Sequence, residues 1–574
     1  MKLVERKISP CRLACPIGTN VQGYIGLISI GKYKEALEIA RENNPFPATC
    51  GRLCSRPCEA ECRRAKYDEP LMIADLKRFI SDIILEEEIG DNSTPIIYDE
   101  KIAIVGAGPA GLTAAWILRK AGFNVTLLDQ HEKAGGTLMY LLPSFLLPKN
   151  VLEKEINRIL SYGIEFKGNL QLGSNISIDE LRKDGYASII LALGSAHDFS
   201  FPSKWQLMED VYWGPYFFLE KIMKEPEKLS GMRVLFIGTG SLTLTLARIA
   251  LRGRAREVQL WSSFDKEKLS FRERDLEEAQ HEGLLVKYGM NLGNIEHSAG
   301  GAKVFYRKAI SFESDDNNRD IGKWSKEILT DLFDFVIDTR FIGPAGRQAR
   351  LLNLPTYGIM LFPKADPATL KSPINDIYMA GDFVSGPKTI IEAIASGHKV
   401  ARTVISDLQK QQPKSTTYSP TWELPINNPK TAYRPHLESL VIDCEQNPEG
   451  ETIAPLTESQ AVHEARRCLR CGPCSECPVC FDDCHYKIFI DINDKKKVRT
   501  IPEFVNHTVT MLIPAIPIVS KELCNGCGLC IEKCSYNAIY LLDKKLAVIK
   551  ERQCKGCGIC IEVCPEKALM FQGD

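Results

Sequence analysis

The chain has 574 residues, a formal net charge of −1, and 44% hydrophobic and 25% charged residues. That length suits about four domains with sizeable cores, and the near-zero charge excludes any bulk electrostatic pull on nucleic acid. Its 21 cysteines follow an N-terminal "MKLVERKISPCRLACP" that lacks the apolar core of a signal peptide, so they read as metal ligands of a cytoplasmic protein rather than as disulfides.

Residues 1–95 carry six cysteines, Cys11, Cys15, Cys50, Cys54, Cys58 and Cys62, among helix-like text such as "VQGYIGLISIGKYKEALEIAREN". The last four recur every fourth residue. On one straight helix they would span about 18 Å at 1.5 Å per residue, too far for a single cubane. Gly51 and Pro57 predict that the helix is broken there and that two clusters divide the ligands.

From about 100 to 410 cysteine is absent, and strand–glycine turn–helix text predicts an α/β architecture of two nested Rossmann-like dinucleotide-binding domains. The outer one, expected over 96–228 and 345–410, opens with Gly106, Gly108, Pro109, Ala110 and Gly111. It continues to a strand ending at Asp129 and to Gly135, Gly136 and Thr137. Glycines at these places permit a tight turn and close approach of a pyrophosphate to a helix N-terminus, and the acid can accept from a ribose hydroxyl. Much later, Gly381 and Asp382, with Thr389 and Ile390 opening the next helix, resemble the second FAD motif of two-dinucleotide flavoproteins.

The inserted domain, expected over 229–344, has its own turn at Gly238, Gly240, Ser241 and Leu242, with Thr243 where a third small residue is expected. Its second strand runs into Trp261, Ser262, Ser263, Phe264 and Asp265 without the basic pair that grips a 2′-phosphate, which predicts NAD(H) over NADP(H).

A Pro/Ser/Asn-rich connector, 411–460, precedes a Cys-rich segment, 461–490, with Cys468, Cys471, Cys474, Cys477, Cys480 and Cys484. The apolar run "TVTMLIPAIPIV" beyond it is too short and proline-rich to span a bilayer. Within 491–574 two runs of C-x2-C-x2-C-x3-C match the two-cluster bacterial ferredoxin pattern, in which the fourth cysteine of each run serves the other cluster. On that resemblance Cys524, Cys527, Cys530 and Cys564 hold one [4Fe–4S], and Cys554, Cys557, Cys560 and Cys534 the other, in an α+β ferredoxin-like domain.

From "CRLACP" to "IASGHKVA", through "CPIGTNVQGYI", "NPFPATCGRLCSRPCEAEC", "GAGPAGLTAA", "PSFLLPK" and "YMAGDF", the chain resembles the small subunit of glutamate synthase and its iron–sulfur flavoprotein relatives. The resemblance implies a helical iron–sulfur domain at the N-terminus, FAD, and electron exchange with a pyridine nucleotide. In that family "EA-x-RCL-x-C" precedes the "C-x3-CP" element. Here it stands at 464–471 as "EARRCLRC", so the resemblance implies that Cys468 and Cys471 complete a cluster with Cys11 and Cys62. Cys15, Cys54 and Cys58 would hold a second cluster, with Cys50 the candidate fourth ligand. Cys474, Cys477, Cys480 and Cys484 suit a fifth cluster or a zinc knuckle, leaving Cys444 spare.

The function expected is an oxidoreductase passing electrons between NADH and a ferredoxin or partner redox enzyme through FAD and four or five [4Fe–4S] clusters, inside a hetero-oligomeric complex without nucleic acid. The rival readings are a relay subunit whose pyridine-nucleotide domain is silent, and a flavin-based bifurcating subunit.

Overall fold

The computed structural model describes residues 5–84, 92–195, 212–266, 271, 273–314, 320–340, 346–357, 362–410, 417–420, 434–435, 451, 454–471, 517–532, 534, 538–543, 545–550 and 559–570. Among them, no helix is long and apolar enough to cross a membrane.

The N-terminal unit is helical. Val21–Ile28 and Tyr33–Arg41 are separated at Gly31, whose φ of 77° ends the first helix. Helices Pro47–Leu53 and Pro57–Ala60 share the four-residue cysteine repeat, and the break expected between them is present. Cys54 leaves the helix extended, Arg56 is left-handed at φ 60°, and Pro57 starts the next helix where its missing N–H costs nothing. Helix Ile73–Ile84 closes the unit around Tyr24, Ile25, Leu37, Leu76 and Phe79. Leu456, Ala461 and Ala465, from far along the chain, complete this core.

Two parallel sheets follow. The first has the order Ile377–Met379, Tyr186–Leu191, Lys101–Val105, Asn124–Leu128, Glu165–Lys167. Four of its strands are largely buried on both faces, as helix-covered parallel sheets require, while the edge strand Glu165–Lys167 is mostly exposed. Strand Ile377–Met379 returns to this sheet only after the whole second sheet has been built, which is the nesting the sequence predicts.

The second sheet runs Tyr212–Trp213, Phe335–Asp338, Arg233–Ile237, Glu257–Trp261, Leu285–Lys287, with an antiparallel extension over Met290–Phe333. This corrects the boundary expected at 229. Tyr212–Trp213 pairs with Phe335–Asp338, and Trp213, Phe218, Leu219 and Ile222 bury their side chains in the second core. Packing decides this boundary, and an aromatic-rich helix before a glycine motif reads equally well as the end of one domain or the start of the next.

The last unit pairs Ile518–Val519 with Leu569–Met570 and Ile539–Leu542 with Leu546–Ile549, both antiparallel. Short helices Leu529–Glu532 and Ile559–Glu562 complete its two-fold repeat.

Candidate cofactor sites

At the first glycine turn the backbone approaches itself closely. Gly106 has φ 106°, and a Cβ there would stand 2.2 Å from the carbonyl oxygen of Ala192. A Cβ on Gly111 would stand 1.9 Å from the Gly106 oxygen, whereas one on Gly108 would meet nothing within 4 Å, so the open side of the turn is at Gly108. Pro109 opens helix Pro109–Lys120, leaving the helix dipole pointing into that space. Asp129 accepts from the Ala107 N–H at 2.7 Å and from the His131 N–H at 2.9 Å, fixing the turn to the second strand. His131, unmarked by the sequence, also brings Nδ1 to 2.8 Å from Asp129 and stacks on Tyr140.

The other outer motifs converge on this turn. Gly135 donates to the Ala107 carbonyl at 2.8 Å, Gly136 lies against the Gly108 backbone, and Thr137 begins helix Thr137–Tyr140. Gly381, with φ 67°, faces Ala110, and Gly397 of helix Ile390–Leu408 packs on the Ala110 carbonyl. Thr389 caps that helix through a reciprocal box with Glu392. Beside it Asp382 is pushed up to about 7 by burial, its carboxyl accepting one backbone N–H, from Lys388 at 3.2 Å. Residues far apart in the chain thus meet at one turn, bringing small side chains and a half-buried acceptor together, which suits a dinucleotide.

The second turn shows why Thr243 replaces a small residue. Its hydroxyl meets that of Thr339 at 2.6 Å, and the Thr339 hydroxyl lies where a Cβ on Gly238 would sit. A hydrogen bond between hydroxyls therefore ties helix Ser241–Arg252 to the neighbouring strand. Gly240 is open, and Ser241 and Leu242 start the helix. Ser262 is fully buried, and its hydroxyl donates to the Phe264 carbonyl and accepts from the Phe264 N–H, capping its own turn. Missed in the sequence was Arg340, clamped to the buried Asp338 at 3.0 and 2.7 Å on the strand beside the turn.

Cys11, Cys62, Cys468 and Cys471 line one cavity. What brings the last two there is a docked helix, Glu458–Arg466, capped by Thr457. Glu464, fully buried, accepts from the Met72 N–H at 2.9 Å and from Arg467 at 2.9 and 2.8 Å. Arg467 also donates to Asp68 and to the Glu69 carbonyl, while Arg64 donates to the carbonyl of Arg467. Burial pushes the Cys11 thiol up, and Cys471 and Cys468 push it further.

Cys15, Cys50, Cys54 and Cys58 form a second group around helix Pro47–Leu53, with Cys50 fully buried and raised by burial. The N-terminus of that helix is capped from the nucleotide domain. Glu155 accepts from the N–H groups of Ala48 (2.6 Å) and Thr49 (3.0 Å) and from the Thr49 hydroxyl (2.6 Å). Burial pushes this carboxyl up to about 6. The neutral acid is thus favoured in the fold, and the stability it adds is fully present below pH ~4.5 and lost as pH rises through 6. Glu155→Ala is expected to destabilise by about 1–2 kcal/mol, as lost caps do. Thermal melts should show the wild type losing stability between pH 4.5 and 6 and the variant not; parallel pH profiles would refute this.

In the C-terminal unit Cys524, Cys527, Cys530 and Cys564 line one cavity. Backbone N–H groups of Ala547, Ala538 and Ala568 donate to the sulfurs of Cys524, Cys534 and Cys564. Cys560 is buried nearby, whereas Cys554, Cys557, Cys444, Cys474, Cys477, Cys480 and Cys484 lie outside the described residues. No three Cys, His, Asp or Glu among the described residues converge on a single point as one bound ion would need; in the two cavities the sulfurs surround a volume.

Comparison with known proteins gives three partial family matches. Residues 4–89 match dihydropyrimidine dehydrogenase domain II with its 4Fe-4S cluster, 104–140 an NAD(P)-binding Rossmann-like domain, and 517–571 a 4Fe-4S dicluster domain. The NADP(+)-dependent formate dehydrogenase subunit beta of Moorella thermoacetica is 28% identical over 512 residues, covering 81% of this chain and 70% of that one. The small chain of glutamate synthase [NADPH] of Escherichia coli is 26% identical over 420 residues, 70% of this chain and 88% of that one. The putative oxidoreductase YgfK of the same organism is 26% identical over 552 residues, 95% of this chain, which spans only 49% of that relative. The resemblance to glutamate synthase small-subunit-like iron–sulfur oxidoreductases is borne out, as is the fold class.

Proposed function

We propose that this chain is a cytoplasmic NAD(P)H-dependent iron–sulfur flavoprotein that exchanges electrons between a pyridine nucleotide and a ferredoxin or a partner redox enzyme in a larger complex. The observation that carries the reading is the cavity lined by Cys11, Cys62, Cys468 and Cys471. A chain that returns two cysteines across some 400 residues, and buries an ion-paired segment to do so, has a reason to complete a four-thiol site.

In this reading the Gly106–Gly111 turn, Gly135–Thr137 and Gly381–Ile390 hold FAD, and the Gly238–Leu242 turn with Ser262 holds the pyridine nucleotide. The fit is supported by the open Gly108 and Gly240 faces and by the half-buried Asp382 carboxyl, which has an acceptor to offer a ribityl hydroxyl. Cys11, Cys62, Cys468 and Cys471 hold one [4Fe–4S]; Cys15, Cys50, Cys54 and Cys58 a second; the two cysteine runs after residue 520 hold a third and a fourth. Cys474, Cys477, Cys480 and Cys484 are left for a fifth cluster or zinc. When bound, FAD supplies the conversion of a hydride into single electrons that iron–sulfur groups can carry.

NADH is preferred in this proposal because Ser262 is occupied by its own turn and Asp265 would repel a 2′-phosphate. Two of the three relatives named above carry NADP(+) or NADPH in their names, so the preference rests on this strand end alone. An anaerobic titration of the whole protein, following flavin and cluster absorbance, tests both points. NADH is expected to reduce it at least tenfold faster than NADPH, about 1.4 kcal/mol for the absent cation. Faster reduction by NADPH would overturn the preference. Reduction by dithionite but by neither nucleotide would overturn the enzyme and leave the relay subunit.

A further inference from the structure

Cys15, Cys50, Cys54 and Cys58 share a neighbour that no sequence motif marks. Lys77 lies in the second turn of helix Ile73–Ile84 and is only 4% exposed. Its helix touches helix Pro47–Leu53 almost without a gap, since a Cβ on Gly51 would lie 2.8 Å from the backbone nitrogen of Arg78. That contact brings the two backbones together where Cys50 adjoins Gly51 and Lys77 adjoins Arg78. The Lys77 ammonium interacts electrostatically with all four cysteines, and Cys50 and Cys58 each feel Lys77 more strongly than any other charge.

Among the described residues Lys77 forms no ion pair with a carboxylate, while the nearby Arg56 is matched by Asp75 at 2.6 and 3.1 Å. A buried ammonium without a counter-charge is costly. Four neutral thiols supply none, and four thiolates held by a metal group do. The charge on Lys77 therefore complements the loaded site. The cavity at Cys11 and Cys468 has two arginines in its wall, Arg63 and Arg64, and Arg64 is paired with Asp68.

We propose that Lys77 is a built-in counter-charge that raises the reduction potential of the cluster held by Cys15, Cys50, Cys54 and Cys58, an inference that rests on the ligand assignment above. Reduction adds one electron, hence one negative charge, to a group already ringed by four thiolates, and no bond to the protein forms or breaks. A fixed cation beside it favours the reduced state, and its burial keeps salt from screening the effect.

The test is a dithionite titration of the full chain monitored by electron paramagnetic resonance, with iron and acid-labile sulfide measured on the same samples. Lys77→Met is expected to keep its iron and to make one cluster at least tenfold harder to reduce, about 59 mV for a one-electron couple, while Lys77→Arg stays near the wild type. Unchanged potentials in Lys77→Met with full iron overturn the proposal. Loss of one cluster's iron in Lys77→Met but not in Lys77→Arg supports a role for the charge; loss in both overturns it in favour of packing. Cys54→Ser separates the premise: if it leaves iron and every signal unchanged, there is no cluster here, and the ligand assignment is what fails.

Discussion

Arg467→Ala is expected to cost the protein one cluster while leaving its flavin in place. The guanidinium is 3% exposed and meets Glu464 at 2.9 and 2.8 Å, Asp68 at 2.9 Å and the Glu69 carbonyl at 2.8 Å. Its removal leaves Glu464, itself fully buried, without its bidentate partner and with only the Met72 N–H, among the described residues, donating to it, while Asp68 keeps Arg64. Breaking a buried pair in this way typically costs about 3–5 kcal/mol, because the surviving charge is stranded. The load falls on the contact that seats helix Glu458–Arg466, one residue before Cys468. Apolar burial there is small, chiefly Leu456, Ala461 and Ala465, so the helix has little else to hold it. Iron and labile sulfide should fall by one cluster's worth, and trypsin should cut near residue 466 sooner. The control is Arg466→Ala. That side chain reaches only the Ser29 carbonyl, at 3.4 Å, and its loss should stay within about 0.5 kcal/mol. Full iron and unchanged cluster signals in Arg467→Ala would mean that the docked helix does not depend on this network.

The lent pair of cysteines was legible because a whole phrase, "EARRCLRC", stood in an unexpected place. The same phrase contains Glu464 and Arg467, the residues that do the docking. The break at Pro57 was legible too, since proline acts through local sterics. Other features were not. Lys77 sits in "IADLKRFISDII", an amphipathic helix in which lysine ordinarily marks the solvent side, and only a second helix packed on Gly51 turns that face inward. Glu155 reads as one more charge in "KNVLEKEINRIL", and its partners are about 106 residues away. Thr243 looked like a defect of the second glycine turn until Thr339 supplied its partner from another strand. In each case the missing information is which surfaces meet across domains, something local patterns do not encode.

Gly111→Ala is expected to lower bound flavin at least tenfold while Gly240→Ala leaves it unchanged. The two glycines hold different places in their turns, since Gly240 answers to Gly108 and Gly111 answers to Thr243, and their surroundings differ accordingly. A Cβ on Gly111 would stand 1.9 Å from the Gly106 oxygen, 3.1 Å from the Gly106 carbonyl carbon and 3.4 Å from Ile104. The nearest neighbours are backbone, and Gly106 cannot yield, because its own far side is pressed against the Ala192 carbonyl. Relief requires helix Pro109–Lys120 to slide away from the strand Lys101–Val105. Overpacking of this kind costs about 1–3 kcal/mol in a core, and here it also misplaces the N–H groups at the helix start that would meet a pyrophosphate. A Cβ on Gly240 would meet nothing within 4 Å, and its φ is an ordinary −96°, so alanine is accommodated there without strain. Its methyl would project into the space left for the pyridine nucleotide, slowing reduction by NADH and not by dithionite. Absorbance of flavin released by heat, per mole of protein, separates the two variants. A Gly111→Ala protein with full flavin would show that the turn can relax, and that the close approach of Gly106 to Gly111 is not what the dinucleotide needs.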